Sequence, residues 1–598
     1  MIFTPQPTHQ TFCPSVCTCD DQKLTVSCKG SIGVNRLPHT LNPSLRKLTL
    51  NDGQTSQLAG LDDYPRLEFL DLAFNKLTSV DADELGKDAS LQHLNTSHNQ
   101  INELKDSQVA KSLSSLRTHS IGTEDTNTDV MKSMKRLPKI NIIEINLSHN
   151  NLSTIRNLTF FRWHKLQRLD LSNNVITFLE SYSLYGLIKL EHLDLRGNHL
   201  KKVPSYALQS TTRSVYSAQP KQSPASDLLT LDLSENDIET IESDSFDMLD
   251  RLQKLYLASC SIQTIHERSF SNLHTLLALN LDHNKLKEVP SSSFSRLGVL
   301  EILKLNNNNI SIVHPKAFID LTYLTELELR NQSFETIPAN AFKGLDALQR
   351  LDLSLNTNMR NIEQGAFQDL TKLTHLNLSY SSLPHILNEF TPDSRIKLDL
   401  RNNPLRCGCE LRWLTKWLQN LNETIAQTKD KRNQSSDGVQ PNSSYASTTN
   451  GTPHHPIDQN VYLTCTGPKA LVGKLIAELP IKKLECLDPT SNLNIQIGFG
   501  ILLLFLLVLV TVCTVNFCRN KNYFLVVLKT NLAPNHISMV MPYKPNPATR
   551  DEINSYDLRK ETQFLDNGDY EPVDYSQPIY TVGDNRTDQF LYYSRRPT

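Results

Sequence analysis

The 598-residue chain reads as an α/β fold: a curved solenoid of repeating coils with a parallel β-sheet on its concave face, disulfide-closed caps at both ends and one transmembrane helix. Three observations lead there. A leucine pattern recurs with a period near 24 residues, cysteines cluster in fours at its two ends, and nineteen uncharged residues follow the second cluster. Composition sets the outer limits. Sixty-one Lys and Arg against 63 Asp and Glu leave a net charge of −2, too balanced for a phosphate-backbone binder, so no nucleic-acid partner is expected. With 38% hydrophobic and 21% charged residues the chain is too apolar to be disordered throughout, and its 20 glycines exclude collagen.

The pattern L-x-x-L-x-L-x-x-N-x-L begins at Leu67, Leu91, Ile142, Leu166, Leu190, Leu228, Leu252, Leu276, Leu300, Leu324, Leu348 and Leu373. Degenerate copies begin near Leu45 and Leu116, and a last one ends in Leu398, Leu400, Asn403 and Leu405. About fifteen coils are therefore expected over residues 45–406. The L-x-L pair alternates with period two, which predicts a short strand whose leucines point inward. Apolar residues such as Phe246, Leu249, Phe270 and Leu273 close the other side of the core. No coil buries its leucines alone, so stability comes from stacking. The asparagine column, from Asn75 to Asn356, is expected to point inward and bond backbone groups, as a buried amide must. Cys260 occupies that column as a small buried thiol. The step from Leu190 to Leu228 is widened by a polar insertion expected to bulge as a loop.

A stack of coils exposes its core at both ends, where the cysteines lie: Cys13, Cys17, Cys19 and Cys28, then Cys407, Cys409, Cys465 and Cys486. Even sets read as disulfides in an oxidising compartment; zinc ligation by the C-x-C pairs is the competing reading. Spacing alone leaves three connectivities open per cluster. Eleven N-x-S/T sequons precede the apolar run, at Asn95, Asn146, Asn151, Asn157, Asn309, Asn331, Asn377, Asn422, Asn433, Asn442 and Asn450, and suit a glycosylated extracellular surface. No metal or other cofactor is expected.

With CPSVCTC before the repeats and NPLRCGCELRWLTKWL after them, the chain resembles extracellular leucine-rich-repeat families. That resemblance implies an N-terminal cap over 13–44 pairing Cys13 with Cys19 and Cys17 with Cys28. It likewise implies a C-terminal cap over 407–486 pairing Cys407 with Cys465 and Cys409 with Cys486. Leu405 stands where that cap commonly has Trp, and a polar insertion over 422–460 reads as disordered.

The apolar run Ile497–Val515 places a transmembrane helix over 496–518, long enough to cross a hydrocarbon core. Disulfides and sequons put the N-terminal side outside, giving a single-pass type I protein of the plasma membrane. Residues 1–12 show neither a basic nor an apolar leader region, so the signal peptide is expected to be missing from this sequence. The 519–598 tail reads as disordered and cytoplasmic. Tyr570, Tyr575 and Tyr580 are its candidate phosphorylation sites for SH2-type adaptors, and Cys518 its candidate lipidation site.

No nucleophile elbow, metalloprotease, P-loop or kinase motif is present, so no enzymatic activity is expected. The residue between the two strand leucines faces the concave side. Asp170, Asp194, Asp232, Tyr256, Asn280, Lys304, Glu328 and Asp352 follow one another there. The departures from Asp at Tyr256, Lys304 and Glu328, with Arg330 nearby, mix an aromatic with both charges, as protein interfaces do. Asp194, Asp232, Tyr256, Asn280, Lys304, Glu328 and Arg330 are therefore the candidate ligand-binding residues. Glycans on Asn95, Asn146 and Asn377 in that column would obstruct the ends and leave the middle open. The resemblance extends to adhesion and guidance receptors of the Tartan/Capricious and neuronal leucine-rich-repeat types. It implies binding of an extracellular protein, or of the same protein on another cell. The alternative is an innate-immune receptor or co-receptor resembling a Toll ectodomain without its intracellular domain.

Overall fold

The structure, a computed structural model, describes residues 13–30, 36–86, 90–118, 134, 136–209, 226–386, 396–421, 462–484, 507–508 and 510–512. The chain divides into two units, Met1–Asn494 and Ile495–Thr598.

In the first unit each L-x-L segment places its first apolar residue in a short strand, three residues long from Phe69–Asp71 onward, and successive strands pair in parallel with no register slip. Leu169 lies opposite Leu193, Leu193 opposite Leu231, and Leu231 opposite Leu255. These strands belong to one 16-stranded sheet that opens with the hairpin Cys17–Asp20 and Thr25–Lys29. That hairpin is antiparallel, and its second strand pairs in parallel with Lys47–Asn51, so the N-terminal cap continues the sheet while covering the end leucines. Cys13–Cys19 and Cys17–Cys28 are bonded there.

The side opposite the sheet is a column of phenylalanines. Phe246, Phe270 and Phe294 are buried and stack with centroids 5.8 and 6.4 Å apart; Phe318, Phe342 and Phe367 repeat the arrangement at 6.1 and 5.7 Å. Strands in a sheet are about 4.8 Å apart. Rings need more room than strands, so the coils fan outward from the sheet, which becomes the concave side.

The asparagine column holds neighbouring coils together. Asn174 Nδ2 donates to the carbonyls of Leu147, Leu171 and Ser172, at 3.0, 3.0 and 3.2 Å, while its Oδ1 accepts from Leu152 N at 3.0 Å. One buried amide thus satisfies four backbone groups in two coils. Gln332 takes over the role in its coil, reaching Leu305 O and accepting from Ile310 N. Cys260 does so only in part. Its thiol donates to Leu233 O at 3.2 Å but has no amide oxygen for the preceding coil, and burial raises its pKa to about 12.

The copy expected near Leu116 is not a coil. Strand His93–Asn95 pairs directly with Glu144–Asn146, and Ser107–Thr118 is an α-helix. The sheet therefore has fourteen coil strands beyond the cap hairpin. Val109 of the helix packs with Met134 and Leu158 in a small satellite core. Arg162, 1% exposed at its side chain, ties this insertion down with ion pairs to Asp83 at 2.6 Å and Asp106 at 3.3 Å. Its Nε also donates to Pro138 O at 2.7 Å.

At the other end Cys407 is bonded to Cys465. Leu405 is buried at the position expected to hold Trp, and Trp413 and Trp417 pack against the core instead. Cys486, the partner expected for Cys409, lies outside the described residues, as do the 422–460 insertion and the sequons Asn422, Asn433, Asn442 and Asn450. The same holds for residues 1–12, the 519–598 tail with Tyr570, Tyr575 and Tyr580, Cys518, and most of 496–518. Among the described residues no helix is long and apolar enough to cross a membrane.

Candidate binding face

The concave column is built in register: Asp194, Asp232, Tyr256, Asn280, Lys304 and Glu328 stand side by side on consecutive strands. Its usual residue, Asp or Asn, has a local task. Asp170, Asp194, Asp232, Asn280 and Asp352 each accept, through Oδ1, the backbone N–H two residues on, at 2.8–2.9 Å. Such Asx turns close the strand as it leaves the sheet.

Tyr256, Lys304 and Glu328 lack a short carbonyl-bearing side chain and leave that N–H unserved. In all three coils the preceding coil supplies the acceptor instead. Ala258 N donates to Ser234 Oγ at 3.2 Å, Asn306 N to Asp282 Oδ1 at 2.6 Å, and Arg330 N to Asn306 Oδ1 at 2.9 Å. The three side chains are thereby released from turn closure.

Two of them are engaged with each other. Lys304 Nζ and Glu328 Oε1 are 2.8 Å apart, and Asn306 Nδ2 donates to Glu328 Oε2. Burial pushes the Glu328 carboxyl up, but the bonds from Lys304 and Asn306 outweigh it and hold the group below its ordinary value; Lys304 is correspondingly raised. Tyr256 is half-buried, and Arg330 is exposed, with Nε 3.8 Å from Asp352 Oδ2. Asp194 is perturbed most among the acids. Burial, with Asp232 and Asp170 on either side, raises it to about 6 against the pull of the Arg196 N–H bond.

The sequons fall into two groups. Asn151, Asn157, Asn309 and Asn331 are exposed. Asn95, Asn146 and Asn377 are half-buried in the sheet and close Asx turns onto Ser97, Ser148 and Ser379, at 2.9–3.1 Å. Asn95 and Asn377 also donate to Asp71 and Asp352.

One column had no signal in the leucine pattern. The residue just before each inward asparagine position is left-handed, with φ between 51 and 66° in every coil. Asn, His, Ser and Gly tolerate this; Phe74, Leu355 and Tyr380 do not, and all three are exposed. Phe74, His98 and His149 stack there at 4.2 and 4.1 Å. Among the described residues no group of three or more His, Cys, Asp and Glu could hold a metal ion.

A family model described as leucine rich repeat matches residues 140–200, 226–286, 250–301, 275–331 and 322–383, so the chain carries leucine-rich repeats. Human (Homo sapiens) chondroadherin is 41% identical over 64 residues, 11% of this chain and 18% of that protein. The high affinity nerve growth factor receptor of Gallus gallus is 36% identical over 63 residues, 10% of this chain and 8% of the receptor. The chain thus spans less than a fifth of the length of these relatives. A solved TLR13–ssRNA13 complex is 23% identical, covering 64% of this chain and 57% of that one, with a TM-score of 0.44. A chain of the octameric complex of latrophilin 3, Unc5D and FLRT2 (LRR) is 21% identical, covering 79% and 100%, with a TM-score of 0.41.

Proposed function

We propose that the chain is a non-enzymatic cell-surface receptor or adhesion protein that binds an extracellular protein through the concave face between Asp194 and Arg330. The observation that carries this reading is the relief of Tyr256, Lys304 and Glu328 from turn closure by Ser234, Asp282 and Asn306. In each of the three coils the preceding coil provides the turn acceptor that the replaced Asp would have supplied. An exposed Arg330 and a half-buried Tyr256 then offer the residue types that anchor protein interfaces.

The rest of the reading follows from the chain's segments. Residues 496–518 cross the plasma membrane with the repeats outside, and a Cys409–Cys486 bond completes the C-terminal cap. Asn95, Asn146, Asn151, Asn157, Asn309, Asn331 and Asn377 carry glycans, as do Asn422, Asn433, Asn442 and Asn450. In the cytoplasm Tyr570, Tyr575 and Tyr580 are phosphorylated to dock SH2-type adaptors, and Cys518 carries a lipid.

The test is a screen of the full-length chain, displayed on cultured cells, against an array of soluble extracellular proteins. A saturable partner is expected, with binding lost when Tyr256→Ala is combined with Arg330→Glu. Full binding by that variant, displayed at the normal level, contradicts the assignment.

A further inference from the structure

One sequon stands in the left-handed column itself. Asn331, the first residue of Asn331-Gln332-Ser333, has φ of 51° and is exposed. The next two coils hold Leu355 and Tyr380 at the same place, with φ of 62 and 56°. Backbone bonds set the three side by side: Asn331 N donates to Ser354 O at 3.1 Å, and Leu355 N to Ser379 O at 2.9 Å.

Leu355 and Tyr380 are unusual occupants of that column. Asn and Gly adopt positive φ readily, whereas a bulky side chain there is strained. They are 36% and 49% exposed, so little burial offsets the strain. At the other end of the column Phe74, His98 and His149 cover one another by stacking, at 4.2 and 4.1 Å. Leu355 and Tyr380 lie instead beside a sequon, and a sugar is the group that a sequon brings to them.

The Asn331 amide is already aimed. Its Nδ2 donates to Asn307 Oδ1 at 2.9 Å, in the preceding coil. A glycan replaces one of the two Nδ2 hydrogens. The linkage is then a secondary amide, planar and trans, with the sugar carbon on the Oδ1 side. The hydrogen that remains points the other way. The bond to Asn307 survives only if that hydrogen makes it, which sends the sugar away from Asn307 and toward Leu355. Sugar rings present C–H bonds on their faces, which suit the aliphatic Leu355 side chain and the electron-rich face of Tyr380.

We propose that the first sugars of an N-linked glycan on Asn331 pack along the column over Leu355 and Tyr380. The inference rests on the reading that Asn331 is glycosylated and adds where its glycan lies. Asn331 follows Arg330 directly, and Tyr256 and Lys304 belong to earlier coils. A glycan laid toward the C-terminal cap is therefore turned away from them and leaves that face open.

The probe is hydroxyl-radical labelling of the purified full-length chain from glycosylating animal cells, read by mass spectrometry. Ser333→Ala removes the sequon and keeps the Asn331–Asn307 bond; Asn331→Gly removes the amide at a φ that glycine accepts. Both should label Tyr380 about fivefold faster than the parent, the protection expected of one aromatic contact. Tyr323, 65% exposed, should label alike in all three. In the reverse direction, Leu355→Gly with Tyr380→Gly should speed release of the Asn331 glycan from the folded chain by a peptide N-glycosidase about fivefold, without changing release at Asn157. Glycopeptide analysis of the parent separates two failures. No glycan on Asn331 overturns the glycosylation reading and this inference with it. A glycan on Asn331, with Tyr380 labelled at one rate in the parent and in either variant, overturns the packing alone.

Discussion

At the scale of single residues the concave face separates structural duty from free capacity. Asp194 does both. Its Oδ1 closes a turn, while two flanking aspartates and partial burial raise it to about 6. An acid raised in the folded state above its unfolded value binds its proton more tightly when folded. The stability it contributes is full below about pH 4 and lost as pH rises through 6. Asp194→Asn keeps the turn acceptor and removes the charge. It should raise the thermal midpoint at pH 7, with the gain shrinking to nothing at pH 4; equal gains at both pH values would show that the charge is not the cause. Cys260 gives a second residue-scale prediction. Asn236 and Asn284, in the coils before and after, carry the full amide arrangement. Cys260→Asn should complete it, adding about 1 kcal/mol and slowing amide exchange at Ile238, the group aligned with the new oxygen. Unchanged exchange there would contradict the bridging role of the column.

Among elements, the helix Ser107–Thr118 shows what the leucine pattern conceals. Val109, Leu113 and Leu116 are spaced four and three apart, which serves an amphipathic helix as well as it serves L-x-x-L. The periodicity therefore held two answers, and tertiary packing against Leu158 selected the helix. Arg162 gave no sequence signal, since its partners Asp83 and Asp106 lie 79 and 56 residues away. Burial raises the Asp106 carboxyl even with the guanidinium beside it; Asp83, bonded by Ser107 and Arg162 against its own burial, is lowered. Arg162→Ala would strand Asp106 and should cost about 3–5 kcal/mol. The loss should appear first as faster hydrogen exchange across Ser107–Thr118, while the 226–286 coils keep their protection. Uniform loss throughout would mean that the insertion is not a separate unit.

For the molecule as a whole, coil stacking and the inward asparagines were legible because each repeats and each follows from burial. The left-handed column was not, for it imposes no residue type strictly enough to show: Phe74, Leu355 and Tyr380 occupy it beside Asn and His. The exchange of turn acceptors between coils was hidden for a similar reason, since Ser234, Asp282 and Asn306 look like ordinary surface residues until their partners are placed. Recognition by residues freed from the fold's own hydrogen bonding is the central claim. Its most direct test is the affinity of a screened partner for two matched pairs of concave variants. Tyr256→Ala with Arg330→Ala should weaken binding at least about thirtyfold, while the turn-preserving pair Asp170→Asn with Asp352→Asn should stay within about twofold of the parent. Equal losses from the two pairs, or none from the first, would contradict it.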